Sequence, residues 1–282
     1  MSKVTVVTGA NKGIGFHVAR LLAASKSSSE IVYLTARDET RGKEASDALK
    51  KQGIEVAFHQ LDTTSDESVN KLATYLKNTH GGLDILVNNA GFCSPPDVTS
   101  LEEDAHVTIE TNFFGTLRVS EALVPLIRDG GRVVHVSSQL GHYCYQSLSD
   151  ELKAQFSTPT LTLEKLKSLV SSYVTDIRTG SQEAKGWPSG RPWPSHAYGV
   201  SKIGVTVLCF LQQRNYDAQY PGNDVIFSAC CPGFCDTDMT LHRGTKTAAD
   251  GADVAVFLAS LPQKSDVERG MFWADRKPVP WN

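Results

Sequence analysis

Tyr198 and Lys202 stand four positions apart in the stretch YGVSK, ahead of an apolar run. In a helix, residues at i and i+4 share a face, so the Lys202 ammonium group can reach the region of the Tyr198 hydroxyl. A phenol has a reference pKa of ~10 and needs a neighbouring cation to move protons near neutral pH. The pair therefore predicts acid–base chemistry on a helix, and a solvated helix face is the alternative explanation of the same spacing.

A glycine-rich turn, TGANKGIG, lies between the first strand-like run and a helical pattern. Its glycines at 9, 13 and 15 let the backbone turn tightly and let a pyrophosphate approach the amides of the helix N-terminus. We predict dinucleotide binding here, with a purely structural turn as the alternative. A kinase-type phosphate loop is not expected, because that loop needs Ser or Thr after Gly-Lys and here Lys12 precedes Gly13.

The end of the second strand bears on the choice of nicotinamide cofactor. NAD sites usually place an acid there for the ribose 2′-hydroxyl, whereas a 2′-phosphate needs cations. The strand ends with Ala36 and Arg37, and Lys12 is available from the glycine turn, so NADP(H) is predicted. Asp38 follows directly and would favour NAD if it faced the ribose; pairing with Arg41 is the other use that we expect for it.

Polar residues also follow the third strand, in the stretch Gln60-Leu-Asp62-Thr63. Their side chains are suited to hold an adenine edge. They are equally suited to cap the next helix.

Six apolar runs rich in β-branched residues alternate with segments of helical spacing. We predict strands at 4–7, 31–34, 56–58, 83–87, 132–136 and 224–229. We predict helices at 13–24, 41–52, 66–78, 103–127 and 198–213. This alternation indicates an α/β fold, a doubly wound Rossmann-type parallel sheet with its ligand site beyond the carboxyl ends of the strands.

One domain is expected for residues 1–282, with a helical insertion and loop at 142–196. That stretch has no strand pattern, but its apolar residues from Leu163 to Ile177 fall at helical spacing, and Thr162 is the predicted N-cap. It ends with a repeated element, Trp187-Pro-Ser189 and Trp193-Pro-Ser195. We interpret the repeat as a rigid aromatic loop before Tyr198, or as a surface loop with two packed tryptophans.

The composition narrows the classes of partner. The chain has 282 residues, 40% of them hydrophobic, and a formal net charge of −3. Without a basic excess, nucleic-acid binding and binding to acidic membranes are not expected, and a small-molecule substrate is. The six cysteines lack a CxxC pair, so we predict reduced thiols and no metal site.

Two observations predict a cytoplasmic protein. The first strand-like run begins at Val4, which leaves no room for a signal peptide. No apolar run reaches the length of a membrane span.

Five motifs, in this order, resemble the short-chain dehydrogenase/reductase family: TGANKGIG, NNAG at 88–91, VSS at 136–138, YGVSK, and CPG at 231–233. The resemblance spans nearly the whole chain. Within the family, the stretches LTARD, TNFFGT and ACCPGF are similar to those of the monomeric NADPH-dependent carbonyl reductases of animals.

The resemblance implies a role for each of four residues. Tyr198 would protonate the substrate carbonyl oxygen, and Lys202 would bind the nicotinamide ribose and lower the tyrosine pKa. Ser138 would polarise the carbonyl, whereas its neighbour Ser137 is expected to be structural. Asn112 would hold a water in the proton relay; a helical Asn that bonds backbone is the alternative. The predicted cofactor-binding residues are Gly9, Asn11, Lys12, Gly13, Ile14, Gly15, Arg37, Asp62, Thr63, Asn88, Ala90, Gly91, Tyr198, Lys202, Pro232, Gly233 and Thr237.

The chain departs from most of the family in one respect. Sixty positions separate Ser138 from Tyr198, where most relatives have far fewer. In the monomeric reductases an insertion of this kind would cover the surface that forms tetramers, so a monomer is expected. Three functions are compatible with the sequence: a broad NADPH-dependent reductase of ketones, aldehydes and quinones, a dedicated reductase of one metabolite, or a non-catalytic NADP(H) sensor.

Overall fold

An eight-stranded sheet forms the centre of the molecule in the computed structural model, which describes residues 2–25, 29–190 and 192–281. Its order is β3-β2-β1-β4-β5-β6-β7-β8, with the last strand antiparallel and the others parallel. The strands are β1 (Lys3–Val7), β2 (Glu30–Ala36), β3 (Ala57–Gln60), β4 (Leu83–Asn88), β5 (Ile127–Val136), β6 (Ile226–Cys231), β7 (Met271–Ala274) and β8 (Lys277–Val279).

Helices cover both faces of this sheet, as expected for a doubly wound fold. The helices are α1 (Gly13–Ser25), α2 (Glu39–Lys50), α3 (Asp66–His80), α4 (Leu101–Ile109), α5 (Gly115–Leu123), α6 (Gln139–Gln146), α7 (Asp150–Ser157), α8 (Leu163–Thr179), α9 (His196–Gln219) and α10 (Ala248–Ala259). One buried cluster joins the sheet to α1, α2 and α10, and the other joins it to α3, α4, α5, α8 and α9. Strand order reverses between β1 and β4, so the cleft at their carboxyl ends is the expected ligand site.

The predicted fold class is confirmed, with three corrections to the elements. β7 and β8 were not predicted, because each is a short run without a clear alternation. The strand predicted from Asp224 begins at Ile226; the Asp224 carboxylate instead accepts hydrogen bonds from Arg132 and from the Lys264 backbone, at 3.1 and 2.7 Å.

The single helix predicted at 103–127 is wrong. It is divided into α4, a π-helical turn over Glu110–Phe114, α5 and a short 3₁₀ turn over Val124–Leu126, and β5 begins at Ile127. The π turn is a local widening of the helix and surrounds Asn112, whose side chain bonds a neighbouring loop. The turn therefore places a polar side chain that helical periodicity alone does not locate.

The stretch between Ser138 and Tyr198 forms α6, α7, α8 and a loop. Thr162 caps α8 as predicted, its hydroxyl accepting a hydrogen bond from the Lys165 backbone at 3.2 Å. The helix α8 packs against α4 and α9. Its Asp176 accepts a hydrogen bond from the indole of Trp187 at 2.8 Å, which fastens the loop to the helix.

A buried histidine lies beneath the cleft and makes stability depend on pH. His135 donates from Nε2 to Gln212, at 2.8 Å, and accepts at Nδ1 from Asn88, at 3.2 Å, so the neutral ring satisfies both partners. Burial lowers the pKa of His135 to about 4, from a usual value of 6.5. At a pH between these two pKa values, His135 is protonated in the unfolded chain and neutral in the folded chain. The free energy of unfolding therefore falls as pH falls from 6.5 to 4.

We expect His135 to contribute about 3 kcal/mol to this loss of stability. Urea unfolding of the parent and of His135→Gln across this pH range measures the contribution, because glutamine does not titrate. The variant should lose less stability on acidification than the parent, whatever its stability at pH 7. Parallel pH dependences for the two proteins would show that His135 does not carry the effect.

Candidate active site

The glycine turn follows β1, and close packing explains why it is rich in glycine. Gly9 and Gly13 have φ of 60° and 58°, a left-handed backbone that favours glycine. A Cβ on Gly9 would lie 2.8 Å from the Cα of Ala90, and one on Gly15 would lie 2.3 Å from the Asn89 amide nitrogen. The turn is thus packed directly against the loop that follows β4. Asn11 and Ile14, between these glycines, are partly exposed.

Asn89 holds this packing in place, and our sequence analysis missed it. Its side-chain amide donates to the carbonyl oxygens of Thr8 and Gly9, at 2.9 and 3.1 Å. The Thr8 hydroxyl accepts in return from the backbone N–H groups of Asn89 and Ala90, both at 2.9 Å. The second Asn of the NNAG motif was the signal for this role.

Asn88, which was predicted to contact the cofactor, turns its side chain into the core. The amide nitrogen donates to Ser120 and to His135, each at 3.2 Å. If Asn88 contacts a cofactor in the cleft, it therefore does so through its backbone and not through its side chain. Ala90 and Gly91 follow it and are partly exposed there.

Arg37 is exposed at the end of β2, and no carboxylate of the described residues lies within ion-pair distance of it. Asp38 caps α2, accepting from the backbone N–H of Arg41 at 2.8 Å. The expected pairing of Asp38 with Arg41 is thus with its backbone and not with its guanidinium group. Because the Asp38 carboxylate is bonded to the N-terminus of α2, the guanidinium group of Arg37 is the charged group left available at the end of β2.

Lys12 forms an ion pair with Asp238 at 2.5 Å, across 226 positions of sequence. The pair links the glycine turn to the loop after β6, and Lys12 lowers the pKa of Asp238. Both side chains are largely exposed, so the lysine remains accessible from solvent.

Asp62 and Thr63 take different places at the end of β3. Asp62 accepts from the backbone and hydroxyl of Thr64, at 2.9 and 2.7 Å, whereas the cap of α3 is Ser65. Thr63 is buried, and its carbonyl accepts from Arg118 at 2.8 Å. The side chain of Asp62 is the one that remains partly exposed.

Tyr198 and Lys202 lie in the first turns of α9, which Ser195 caps. The Lys202 nitrogen is 5.5 Å from the centre of the Tyr198 ring and donates to the Val136 carbonyl at 2.8 Å. The side chain of Lys202 is 5% exposed, and burial lowers its pKa to about 8. The predicted pairing on one helix face is therefore present.

The pKa of Tyr198 is raised, which corrects the expectation that the lysine would depress it. Burial is the largest cause, nearby Cys93 and Cys231 add to it, and a hydrogen bond with Ser138 opposes it. Burial outweighs the other influences because a phenolate loses more hydration than a phenol. A raised pKa keeps the phenol protonated, which suits a group that gives up a proton.

Ser137 and Ser138 follow β5 and have different partners. Ser138 lies beside Tyr198, and its hydroxyl accepts from the Leu140 backbone at 3.1 Å, so it caps α6. Ser137 is fully buried, and its hydroxyl bonds the Lys202 carbonyl and Thr206, at 3.1 and 2.7 Å. These contacts agree with the predicted division between a reacting and a structural serine.

Asn112 in the π turn joins the loop after β4 to α9. Its side-chain oxygen accepts from the Phe92 backbone at 2.6 Å, and its nitrogen donates to the Phe92 carbonyl and to Ser201, at 2.9 and 3.0 Å. A Cβ on Gly91 would be 3.3 Å from Asn112 and 3.7 Å from Lys202. Asn112 thus lies beside Lys202, and its side-chain oxygen and nitrogen are hydrogen-bonded to Phe92 and Ser201.

The loop after β6 closes the other side of the cleft. Gly233 has a φ of 86°, a left-handed backbone that favours glycine, and Pro232 precedes it. Thr237 lies against the glycine turn, its methyl group 3.5 Å from where a Cβ of Gly13 would be. The catalytic and cofactor-binding residues predicted from the sequence thus lie at the ends of the strands β1 to β6 or in the segments that follow them, in the π turn, and in the first turns of α9; the side chains of Asn88 and Thr63 are buried.

Comparison with known proteins agrees with this geometry. A family model described as short chain dehydrogenase matches residues 3–150, more than half of the chain. The chain belongs to the short-chain dehydrogenase/reductase family. Carbonyl reductase (NADPH) 1 of Mus musculus is 42% identical over 279 residues, covering 99% of this chain and 98% of that protein. The Homo sapiens protein of the same name matches with the same identity and coverage.

Two solved structures share the fold over nearly the full length. Salutaridine reductase from Papaver somniferum has a TM-score of 0.84 at 29% identity, covering 96% of this chain and 99% of that one. Menthone neomenthol reductase from Mentha piperita has a TM-score of 0.77 at 32% identity, covering 97% and 99%.

As a member of this family, the chain can be tested for fit to a nicotinamide dinucleotide. The glycine turn leads directly into the N-terminus of α1, where unpaired backbone N–H groups and the helix dipole suit a pyrophosphate. The exposed Arg37 guanidinium group, which has no carboxylate partner among the described residues, suits a 2′-phosphate, whereas Lys12 is paired with Asp238. No cluster able to hold a metal ion and no helix able to span a membrane occurs in the parts of the chain that the structure describes.

Proposed function

We propose that this protein is an NADPH-dependent carbonyl reductase that converts ketones, aldehydes and quinones to alcohols. The observation that carries the proposal is the placement of Lys202, whose nitrogen lies 5.5 Å from the centre of the Tyr198 ring, with the Ser138 side chain beside the same tyrosine. The 42% identity to carbonyl reductases over nearly the full chain supports both the reaction and the cofactor.

The residues of the chain provide the proton and the polarisation. When bound, the nicotinamide supplies a hydride to the carbonyl carbon. Tyr198 donates its phenolic proton to the carbonyl oxygen, while the Ser138 hydroxyl donates a hydrogen bond to the same oxygen as its charge grows. The buried Lys202 ammonium stabilises the phenolate that remains, and its pKa of about 8 allows it to exchange protons near neutral pH.

Asn112 has a positioning role in this proposal. Its bonds to Phe92 and Ser201 fix the loop after β4 against α9, next to Lys202. The expected water relay would start from this corner. The proton that Tyr198 gives up would return through Lys202 and that water.

Exposed apolar side chains surround the open side of the cleft. Leu140 on α6 and Phe234 and Met239 on the loop after β6 are each at least 38% exposed. Large apolar side chains left exposed at a cleft favour an apolar or aromatic carbonyl compound. Oxidation of NADPH with menadione, isatin and aromatic ketones tests the reaction, and no turnover across such a panel would refute it.

Arg37 is proposed to select NADPH over NADH by pairing with the 2′-phosphate. We expect Arg37→Ala to weaken NADPH binding about 10- to 100-fold, the loss of one charge-assisted contact, and to leave NADH binding unchanged. Fluorescence titration with both cofactors measures this. Arg178→Ala, which removes an exposed arginine at the end of α8, is the control. Equal losses of affinity for NADPH and NADH would mean that Arg37 does not recognise the 2′-phosphate.

A dedicated reductase of one metabolite is the second candidate. Two solved structures of similar fold are a salutaridine reductase and a menthone neomenthol reductase. In this chain the loop before α9 contains Trp193, in the second of the two Trp-Pro-Ser elements. A single substrate with a KM far below the others would favour this candidate. A sensor without catalysis is disfavoured, because a sensor has no need for a buried lysine beside Tyr198 and a serine beside the same residue.

We also propose a monomer located in the cytoplasm. The helices α7 and α8 and the loop after them lie between Ser138 and Tyr198 and cover part of α9, and α8 packs directly against that helix. The absence of a basic excess and the reduced cysteines support the cytoplasm. A stable tetramer in size-exclusion chromatography would contradict the monomer.

A further inference from the structure

The two Trp-Pro-Ser elements have different surroundings. Trp187 is 3% exposed and packs edge-on against Phe156 and Tyr173, with its indole nitrogen bonded to Asp176. It is a core residue of the helices between Ser138 and Tyr198. Trp193 is partly exposed and contacts none of these residues through its indole nitrogen. The second element therefore has a different task from the first.

Trp193 joins three loops. Its indole nitrogen donates to the Ser94 carbonyl at 3.0 Å, in the loop after β4. The guanidinium group of Arg243, in the loop after β6, lies 5.6 Å from the centre of the Trp193 ring. Trp193 itself belongs to the loop that precedes α9. One indole thus connects the segments that follow β4, precede Tyr198 and follow β6.

This junction borders the reacting groups. Trp193 is five residues before Tyr198 in the chain. Ser94 follows Cys93, a thiol near enough to Tyr198 to raise its pKa. Arg243 belongs to the same loop as Thr237, which packs against the glycine turn. The stacked Trp193 and Arg243 are therefore at the mouth of the proposed active site.

The positive charge of Arg243 is not neutralised locally. In the described ranges, no carboxylate lies within ion-pair distance of its guanidinium group. The nearest acids in sequence are engaged: His242 contacts Asp236 at 2.7 Å and Asp238 at 3.2 Å, and Asp238 also pairs with Lys12. The indole holds one face of the guanidinium group and leaves its N–H donors available.

We propose that Arg243, positioned by Trp193, is a specificity-determining residue that selects aromatic carbonyl substrates with a carboxylate or other anion remote from the carbonyl. The exposed Phe234 and the Trp193 ring offer flat apolar contacts for the aromatic part. The guanidinium group offers two parallel N–H donors for the anion. The proposal rests on the carbonyl reductase function proposed above.

A matched pair of substrates separates charge from shape. 4-Formylbenzoate and 4-formylbenzamide have nearly the same size and the same aldehyde, and differ by one negative charge. The kcat/KM for each is measured with NADPH for the parent and for Arg243→Gln. We expect the variant to lose about five- to tenfold in kcat/KM for the benzoate, and less than about twofold for the benzamide. The loss should reside in KM, and added salt should reduce the parent's preference for the benzoate.

Three further variants complete the test. Trp193→Leu, which removes the support of Arg243, should lose most of the charge selectivity, and Trp193→Phe, which keeps an aromatic face, should retain it. Arg178→Gln, an exposed arginine on α8, should change neither substrate. If the parent reduces the benzamide, the proposed function stands. In that case, equal losses of kcat/KM for both aldehydes in Arg243→Gln, or no loss for either, would overturn the proposed role of Arg243. If the parent reduces neither aldehyde nor any member of the carbonyl panel, the proposed function fails and this inference fails with it.

Discussion

Replacing Tyr198 with phenylalanine should lower carbonyl reduction by about 100-fold or more and leave NADPH binding intact. The substitution removes only the phenolic hydroxyl, and the ring beside Lys202 is kept. Without the phenol, the oxygen of the substrate must take its proton from water. General acid catalysis contributes about 10²- to 10⁴-fold, so kcat should fall by at least the lower figure. Steady-state NADPH oxidation with the best substrate of the panel measures the loss.

Tyr220→Phe is the matched control for this variant. Tyr220 is exposed at the far end of α9, and its hydroxyl bonds only Gln219 in the described structure. It should keep the activity of the parent. If Tyr198→Phe were as active as Tyr220→Phe, Tyr198 would not be the acid. If it failed to bind NADPH, the loss of activity would report on the cofactor instead of the proton.

Replacing Ser138 with alanine should have the second-largest effect. Its hydroxyl is the donor proposed for the carbonyl oxygen, and removal of one such donor costs about 10²- to 10³-fold in kcat. The same substitution removes the cap of α6, where Ser138 accepts from the Leu140 backbone at 3.1 Å. A cap is worth about 1 kcal/mol, so the variant should also be slightly less stable.

Ser149→Ala separates these two effects. Ser149 caps α7 in the same way, accepting from the Leu152 backbone at 3.3 Å, and it is not among the predicted catalytic residues. Both variants should lose a similar amount of stability in thermal unfolding, whereas only Ser138→Ala should lose activity. Similar losses of activity in both would assign the effect to helix capping.

Much of the fold was predictable because most of the first six strands are largely buried apolar runs; β3, with the sequence AFHQ and half-buried throughout, is the exception. β6, for example, is buried at all six positions, and the sequence there is almost entirely apolar. β7 and β8 were not predicted, since four and three residues are too few to show a pattern. The break at Asn112 was missed for another reason: its cause is a bond to Phe92, which lies twenty positions away.

The site was predictable where spacing alone brings groups together. Tyr198 and Lys202 lie close together because they share a helix face, and the three glycines at 9, 13 and 15 predict the glycine turn. The raised pKa of Tyr198 was not predictable, since it depends on burial in the folded chain and, to a smaller extent, on Cys93 and Cys231 from distant parts of the sequence. The contact of Trp193 with Arg243 depends likewise on loops fifty positions apart in sequence.

Transfer of deuterium from NADPH that carries deuterium at both positions on C4 of the nicotinamide is the most direct test of the function proposed here. The parent protein is incubated with the labelled cofactor and an aromatic ketone, and the alcohol is analysed by mass spectrometry. We expect an alcohol with one deuterium at its carbinol carbon, and about a hundredth as much or less from Tyr198→Phe over the same period. Oxidation of NADPH without a deuterated alcohol, or equal labelling by the two proteins, would contradict it.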